Sequence, residues 1–282
     1  MNKLDGKRVV ITGAASGLGR AMALVLARKG CNIGITDVNE VGSRETLELV
    51  ERAGGSGEIL AVDVRRPESV KAMADHFFSA WKGVDLLVNN AGIAIAGTVG
   101  EIPLENWKRI VEINFWGMLY GCHEFIPRMK AQGGGHILNI ASAAGLFSMT
   151  NMAPYNATKA AVISLSETLK VETAPFNIGI TVACPMFFNT NLVKDMAHTD
   201  PIETEFANAA FQFSRITSEG VAQKIVRGVE KGKFYVVPML SGRVSWVLKR
   251  LSPPIFYGTL AFFSRRGWLM PMALRLARWG LV

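Results

Sequence analysis

Seven short apolar runs recur along the 282-residue chain, separated by stretches with helical spacing. They are RVVIT (8–12), NIGIT (32–36), EILAV (58–62), VDLLV (84–88), GHILNIA (135–141), GITVAC (179–184) and KFYVV (233–237). Runs this short and this apolar suit strands buried on both faces. Helical patterns fall between them, among them 17–30, a long one starting near Pro103, 154–174 and 220–232. Strands alternating with helices predict a parallel sheet with right-handed crossovers and helices on both faces. The expectation is therefore an α/β chain with a doubly wound, seven-stranded parallel sheet. Ligands bind such sheets at the carboxyl ends of the strands. Nothing before residue 238 reads as a linker. One domain is expected over 1–238, followed by a C-terminal extension over 239–282.

The turn after the first run reads TGAASGLG, residues 12–19. Gly13, Gly17 and Gly19 remove Cβ atoms where a pyrophosphate approaches the backbone and a helix N-terminus, with Ser16 and Leu18 between them. A glycine turn alone is weak evidence, but this one follows a strand and opens a helix, as a dinucleotide-binding (Rossmann) unit requires. Asp37 ends the second strand, 18 residues after Gly19. A carboxylate there accepts hydrogen bonds from an adenosine ribose and repels a 2′-phosphate. Neither Ser16 nor Val38 supplies a cation for such a phosphate, so NAD is favoured over NADP. The bland alternative is that Asp37 only caps the next helix.

Ser142 ends the fifth run, and YNATK (155–159) follows thirteen residues later. On a helix, Tyr155 and Lys159 share a face. A phenol is a poor base near neutrality, and a close ammonium is expected to lower its pKa. Tyr155 can then exchange a proton with an alcohol or carbonyl oxygen that Ser142 also hydrogen-bonds. A lone YxxxK is more often a surface pair.

TGxxxGxG, the acid after strand two, Asp63-Val64, NNAG (89–92), Asn114, Ser142 and YxxxK occur in this order. As a set they resemble the short-chain dehydrogenase/reductase family over roughly residues 5–238. The resemblance implies that Tyr155 is the general acid/base, that Lys159 holds the nicotinamide ribose and lowers the tyrosine pKa, and that Ser142 orients the substrate oxygen. It implies that Asn114 holds a water relaying protons through Lys159. Asp63 and Val64 would flank the adenine, and Asn90, Ala91 and Gly92 would line the cofactor groove. Pro185 and Thr190 match positions near the nicotinamide. The family usually has Pro-Gly after strand six; here Met186 follows Pro185, adding bulk that either narrows the pocket or points away. A homodimer or homotetramer built on the long helices after strands four and five is also implied.

Around that site Phe147, Met149, Met152, Met186, Phe187 and Phe188 give an apolar, adaptable set. It favours a lipophilic secondary alcohol or ketone of steroid-, retinoid- or long-chain-like shape. A 3-oxoacyl-thioester reductase is the alternative enzyme, and a non-catalytic dinucleotide-binding scaffold the non-enzyme reading, against which Ser142, Tyr155 and Lys159 weigh.

Residues 1–230 hold 22 basic and all 23 acidic residues; nine of the 31 Lys and Arg follow Glu230, with no acid among them. A neutral body argues against nucleic-acid binding. The four histidines and three cysteines show no metal-ligand spacing, so no metal is expected. Unpaired cysteines and the lack of a signal-peptide pattern suggest the cytoplasm. In 246–282, the longest charge-free run is 251–264, too short to span a bilayer and broken by Pro253-Pro254. Its flanks, 244–251 and 271–281, read as basic amphipathic helices. They are candidates for a membrane surface, a substrate lid or a second subunit.

Overall fold

A computed structural model describes residues 3–188, 201–214 and 216–280. Its strands are β1 (Arg8–Thr12), β2 (Asn32–Asp37), β3 (Ser56–Ala61), β4 (Leu86–Asn89), β5 (Gly135–Ile140), β6 (Ile178–Ala183) and β7 (Tyr235–Val236). They form one parallel sheet in the order β3-β2-β1-β4-β5-β6-β7. The winding reverses between β1 and β4, which opens a crevice at their carboxyl ends.

Among the described residues, nine α-helices accompany the sheet up to β7: α1 (Gly17–Ala27), α2 (Glu40–Arg52), α3 (Pro67–Trp81), α4 (Leu104–Val111), α5 (Gly117–Ala131), α6 (Ala143–Leu146), α7 (Ala153–Glu172), α8 (Pro201–Gln212) and α9 (Ser218–Glu230). The helix expected from Pro103 is α4 and α5 joined by a π-helical turn, Glu112–Trp116. Side chains alternate across the pleat. Val9 and Ile11 enter one core cluster with Met22, Leu26 and Ile225, while Val10 enters the other with Phe77, Phe125 and Ile137. β1 is thus apolar on both sides, which is why its run reads as continuous rather than alternating, while the edge strand β3 is only partly buried.

After β7 come α10 (Leu240–Leu251), α11 (Pro253–Arg265) and α12 (Leu269–Arg278). Pro253 and Pro254, expected as a break, mark the break between α10 and α11 and begin α11. Ser252 caps it by accepting a hydrogen bond from Ile255 N at 3.4 Å. Proline costs nothing in a first helical turn, where its missing N–H has no acceptor. β7 is shorter than the KFYVV run because only Tyr235 and Val236 pair with β6. None of the described helices is long and apolar enough to cross a membrane.

Candidate active site

The turn after β1 and the NNAG segment after β4 are fastened to each other. Thr12 Oγ1 accepts from Asn90 N at 3.0 Å and Ala91 N at 3.1 Å. Asn90 Nδ2 donates to Thr12 O at 2.9 Å and Gly13 O at 3.0 Å. Gly13 has a φ of +67°, and a Cβ on it would lie 2.8 Å from Ala91 Cα. A Cβ on Gly19 would lie 2.1 Å from Gly13 O. Both positions are therefore closed to any other residue without moving the backbone. Ser16 precedes α1 without capping it, and no acid lies in the first turn. The first amides of α1 are left for an anion.

A cleft of about 460 Å³ runs over these segments. Gly13, Ser16, Gly17 and Leu18 line it, as do Asp37, Asp63 and Val64. Asn90, Ala91, Gly92, Tyr155, Lys159 and Pro185 complete the set expected there. Gly19 stands behind the turn rather than in the cleft. Thr190 lies outside the described residues. Asp37 does not cap α2; Asn39 does, accepting from Gly42 N at 3.0 Å. Asp37 instead accepts from Ala15 N at 3.0 Å and Asn39 N at 2.9 Å, which fixes its carboxylate at the cleft. The Asp63 carboxylate pairs with Arg65 at 2.7 Å, a hydrogen bond that holds its pKa below the usual range. Arg65 and Arg109 also line the cleft. Neither is predictable from the motif set, because nothing about their spacing marks them.

Ser142, Tyr155, Lys159 and Asn114 are all buried. Ser142 caps α6, accepting from Ala144 N at 3.2 Å, and its hydroxyl lies 3.3 Å from Pro185 O. It also hydrogen-bonds the Tyr155 hydroxyl. Tyr155 and Lys159 are one turn apart on α7, yet the ammonium is 5.6 Å from the ring centre. Lys159 Nζ donates to Ile140 O at 2.9 Å and makes no ion pair among the described residues. Burial pushes the Lys159 pKa down to about 8. Burial also raises the Tyr155 pKa, outweighing the Ser142 hydrogen bond that lowers it. The expected lowering by Lys159 is therefore corrected: removal from water dominates, and the ammonium is turned toward Ile140.

Asn114 sits in the π-helical turn. Its Oδ1 accepts from Ile93 N at 2.9 Å, and its Nδ2 donates to Ile93 O at 2.9 Å and Thr158 Oγ1 at 3.3 Å. The side chain thereby ties the turn to the segment after β4 and to α7. Gly92 separates it from Lys159: a Cβ there would lie 3.2 Å from Asn114 Oδ1 and 3.4 Å from Lys159 Nζ.

A second cavity, of about 290 Å³, lies beside the cleft. Phe147, Met149, Met152 and Phe187 line it. Met152 also packs in one cluster with Tyr155, Ala94 and Ala96, which joins this cavity to the catalytic helix. Two expected members belong elsewhere. Met186 turns toward α10, its sulfur 3.3 Å from Ser241 Oγ, and Phe188 lines the first cleft. Met186 thus points away from the cavity. The rest of the wall comes from beyond β7, the segment held open as a substrate lid: Ser245, Phe256, Leu260, Leu269, Met270 and Ala273. Two bonds hold this cover to the segment between Ser142 and Tyr155. Lys249 Nζ donates to Leu146 O at 2.7 Å, and Tyr257 Oη accepts from Ser148 N at 3.2 Å. Among the described residues, no three His, Cys, Asp or Glu side chains gather as a metal site.

A doubly wound sheet with a glycine turn at its switch point and a Ser-Tyr-Lys group across the crevice defines a dinucleotide-type oxidoreductase. The family model for short chain dehydrogenase matches residues 7–201. SadH of Mycobacterium tuberculosis, an oxidoreductase by name, is 35% identical over 256 residues, covering 89% of this chain and 92% of its own. The 3beta-hydroxysteroid dehydrogenase 1 of Eggerthella lenta is 35% identical over 189 residues, 66% of this chain and 72% of its own. A short chain dehydrogenase/reductase from Burkholderia phymatum, solved in complex with NAD, matches with a TM-score of 0.85 and 30% identity, covering 90% of this chain and 96% of that one. The chain belongs to the short-chain dehydrogenase/reductase family, whose members use NAD(P).

Proposed function

We propose an NAD-linked dehydrogenase/reductase of lipophilic secondary alcohols and ketones, with 1–238 as catalytic body and 239–282 as a helical cover. The observation that carries this reading is a pair of unlike cavities, one lined by Tyr155 and the other by Met152, which packs in one cluster with Tyr155. One is a cleft edged by Asp37, Asp63 and Lys159; the other is walled by Phe147, Met149, Met152, Phe187 and the cover, with no charged side chain among its described lining residues. An apolar chamber of this kind takes a substrate of matching hydrophobic shape. A hydroxysteroid dehydrogenase among the relatives supports the same class.

The residues present fit a dinucleotide. The Gly13–Gly19 contact leaves a cradle that a Cβ would fill, the α1 amides face an anion site, and the buried Lys159 ammonium has donor capacity beyond its bond to Ile140. Asp37, held at the cleft by two backbone amides, favours the ribose of NAD over the phosphate of NADP. The bound nicotinamide supplies the hydride donor or acceptor. Tyr155 gives its hydroxyl proton to the carbonyl oxygen in reduction and takes the alcohol proton in oxidation. Ser142 orients that oxygen. Lys159 stays cationic below about pH 8, and its N–H donors beyond the Ile140 bond can hold the nicotinamide ribose. Asn114 holds the π-helical turn against Ile93 and Thr158, so that this wall of the site keeps its shape.

A 3-oxoacyl-thioester substrate needs cations at the chamber mouth, and the described lining has none. A homo-oligomer through α5 and α7 agrees with two exposed residues, Trp116 in the turn just before α5 and Val171 on α7. Cytoplasmic placement rests on the three buried free thiols. The test is a screen of steroid, retinoid and long-chain alcohols and ketones with both cofactors, read by NADH absorbance. Turnover of thioesters alone, or with NADP alone, would sink the reading.

A further inference from the structure

We propose that the outward face of the C-terminal helices docks on an anionic phospholipid surface. On α10, Leu240, Val244, Val247, Leu248 and Leu251 recur at i, i+4, i+7, i+8 and i+11, and all are exposed, Leu240 by 74% and Leu251 by 77%. An amphipathic helix in water turns such a stripe inward. Here the reverse holds. Gly242, Ser245, Trp246 and Lys249 face the body: Ser245 lines the apolar cavity, Trp246 packs 4.9 Å from the Tyr235 ring, and Lys249 bonds Leu146 O. The exposed apolar surface continues onto α11 with Ile255 and Phe262.

Charge selects the occupant. Nine basic residues and no acid follow Glu230. Arg243, Arg250, Arg265, Arg266 and Arg275 make no ion pair among the described residues. Beside α10, a cavity of about 490 Å³ gathers Lys224, Arg227, Lys231, Lys233 and Arg243, with no carboxylate in its lining. A second copy docked face to face would set these cations against their own images. An anionic leaflet neutralises them, while the apolar stripe enters the acyl boundary. Since no described helix is long and apolar enough to span a bilayer, the contact lies in the interface plane. The inference stands on the outer face alone and does not depend on what fills the cavity.

The experiment is co-sedimentation of the full chain with phosphatidylcholine vesicles and with vesicles containing phosphatidylglycerol, at low and moderate salt. The double variant Val247→Glu/Leu251→Glu changes exposed side chains outside both cavities. Wild type is expected to bind the phosphatidylglycerol vesicles, less so with added salt, and the variant to lose about tenfold in partitioning. Its melting temperature and its turnover of a water-soluble alcohol stay at wild-type values. No binding to anionic vesicles, or binding equal in the variant, overturns the proposal. A wild-type dimer that the same substitutions dissociate, without vesicle binding, assigns the face to a second copy and also overturns it. Turnover is read separately, so a wrong substrate class leaves the vesicle result intact.

Discussion

Replacing Lys159 by Met should stabilise the ligand-free protein while destroying its activity. Lys159 is 4% exposed, its ammonium bonds one carbonyl, and burial lowers its pKa from 10.5 to about 8. At pH 7 the group is charged both folded and unfolded, so the folded state carries a burial penalty of about 3 kcal/mol. Methionine keeps the length of the side chain, removes the charge and leaves Ile140 O without this donor, a loss of about 1 kcal/mol. The net gain is about 2 kcal/mol, or a rise of roughly 4 to 8 °C in melting temperature. Above about pH 8 the folded Lys159 loses its proton while the unfolded chain keeps it until about pH 10.5. Wild-type stability therefore climbs across that window and the gap to the variant closes. Thermal and urea unfolding of both proteins at pH 7 and pH 10 measure this. A variant less stable at pH 7, or a gap that does not narrow by pH 10, refutes the reasoning.

Tyr155→Phe should abolish turnover and leave NADH binding within about twofold, because only the proton-transferring oxygen is lost; NADH fluorescence titration and steady-state rates separate the two effects. Asp37→Ala should weaken the preference for NAD over NADP by about tenfold, the value of one charged hydrogen bond, as read from kcat/KM with each cofactor. Leu260→Ala should raise KM for long or polycyclic substrates by roughly tenfold while hardly changing kcat for small alcohols, since it removes cavity wall and not the catalytic group.

The sheet and the catalytic helix are legible in the sequence because each depends on local regularities. The seven apolar runs name seven strands, and YxxxK on a helix brings Tyr155 and Lys159 onto one face whatever the surroundings. Quantities set by packing are not legible. Two residues apart in sequence, Met186 and Phe188 go to different neighbours, one toward α10 and the other into the first cleft. The Tyr155 pKa moves opposite to expectation because burial dominates it while the Lys159 ammonium bonds Ile140 O, and no spacing encodes either. The π-helical turn at Glu112–Trp116 left no mark in the pattern, since one extra residue in a helix barely shifts its apolar period. The C-terminal segment is legible only as amphipathic, with a membrane surface, a lid and a second subunit all open, because the pattern does not say which face packs on the body. In α10 the apolar stripe is the exposed face, with Ser245 and Lys249 toward the body.

The roof of the apolar cavity, formed by Phe256, Leu260, Leu269, Met270 and Ala273, comes from helices that follow β7, outside the sheet. None of these helices contributes a strand, so residues can be exchanged there without shifting the sheet. Chamber shape and chemical machinery can therefore diverge independently. Grafting a different tail behind Val236 is the simplest route by which this scaffold would accept a differently shaped molecule, and the Lys249–Leu146 and Tyr257–Ser148 bonds are the two joints a transplanted roof must reproduce.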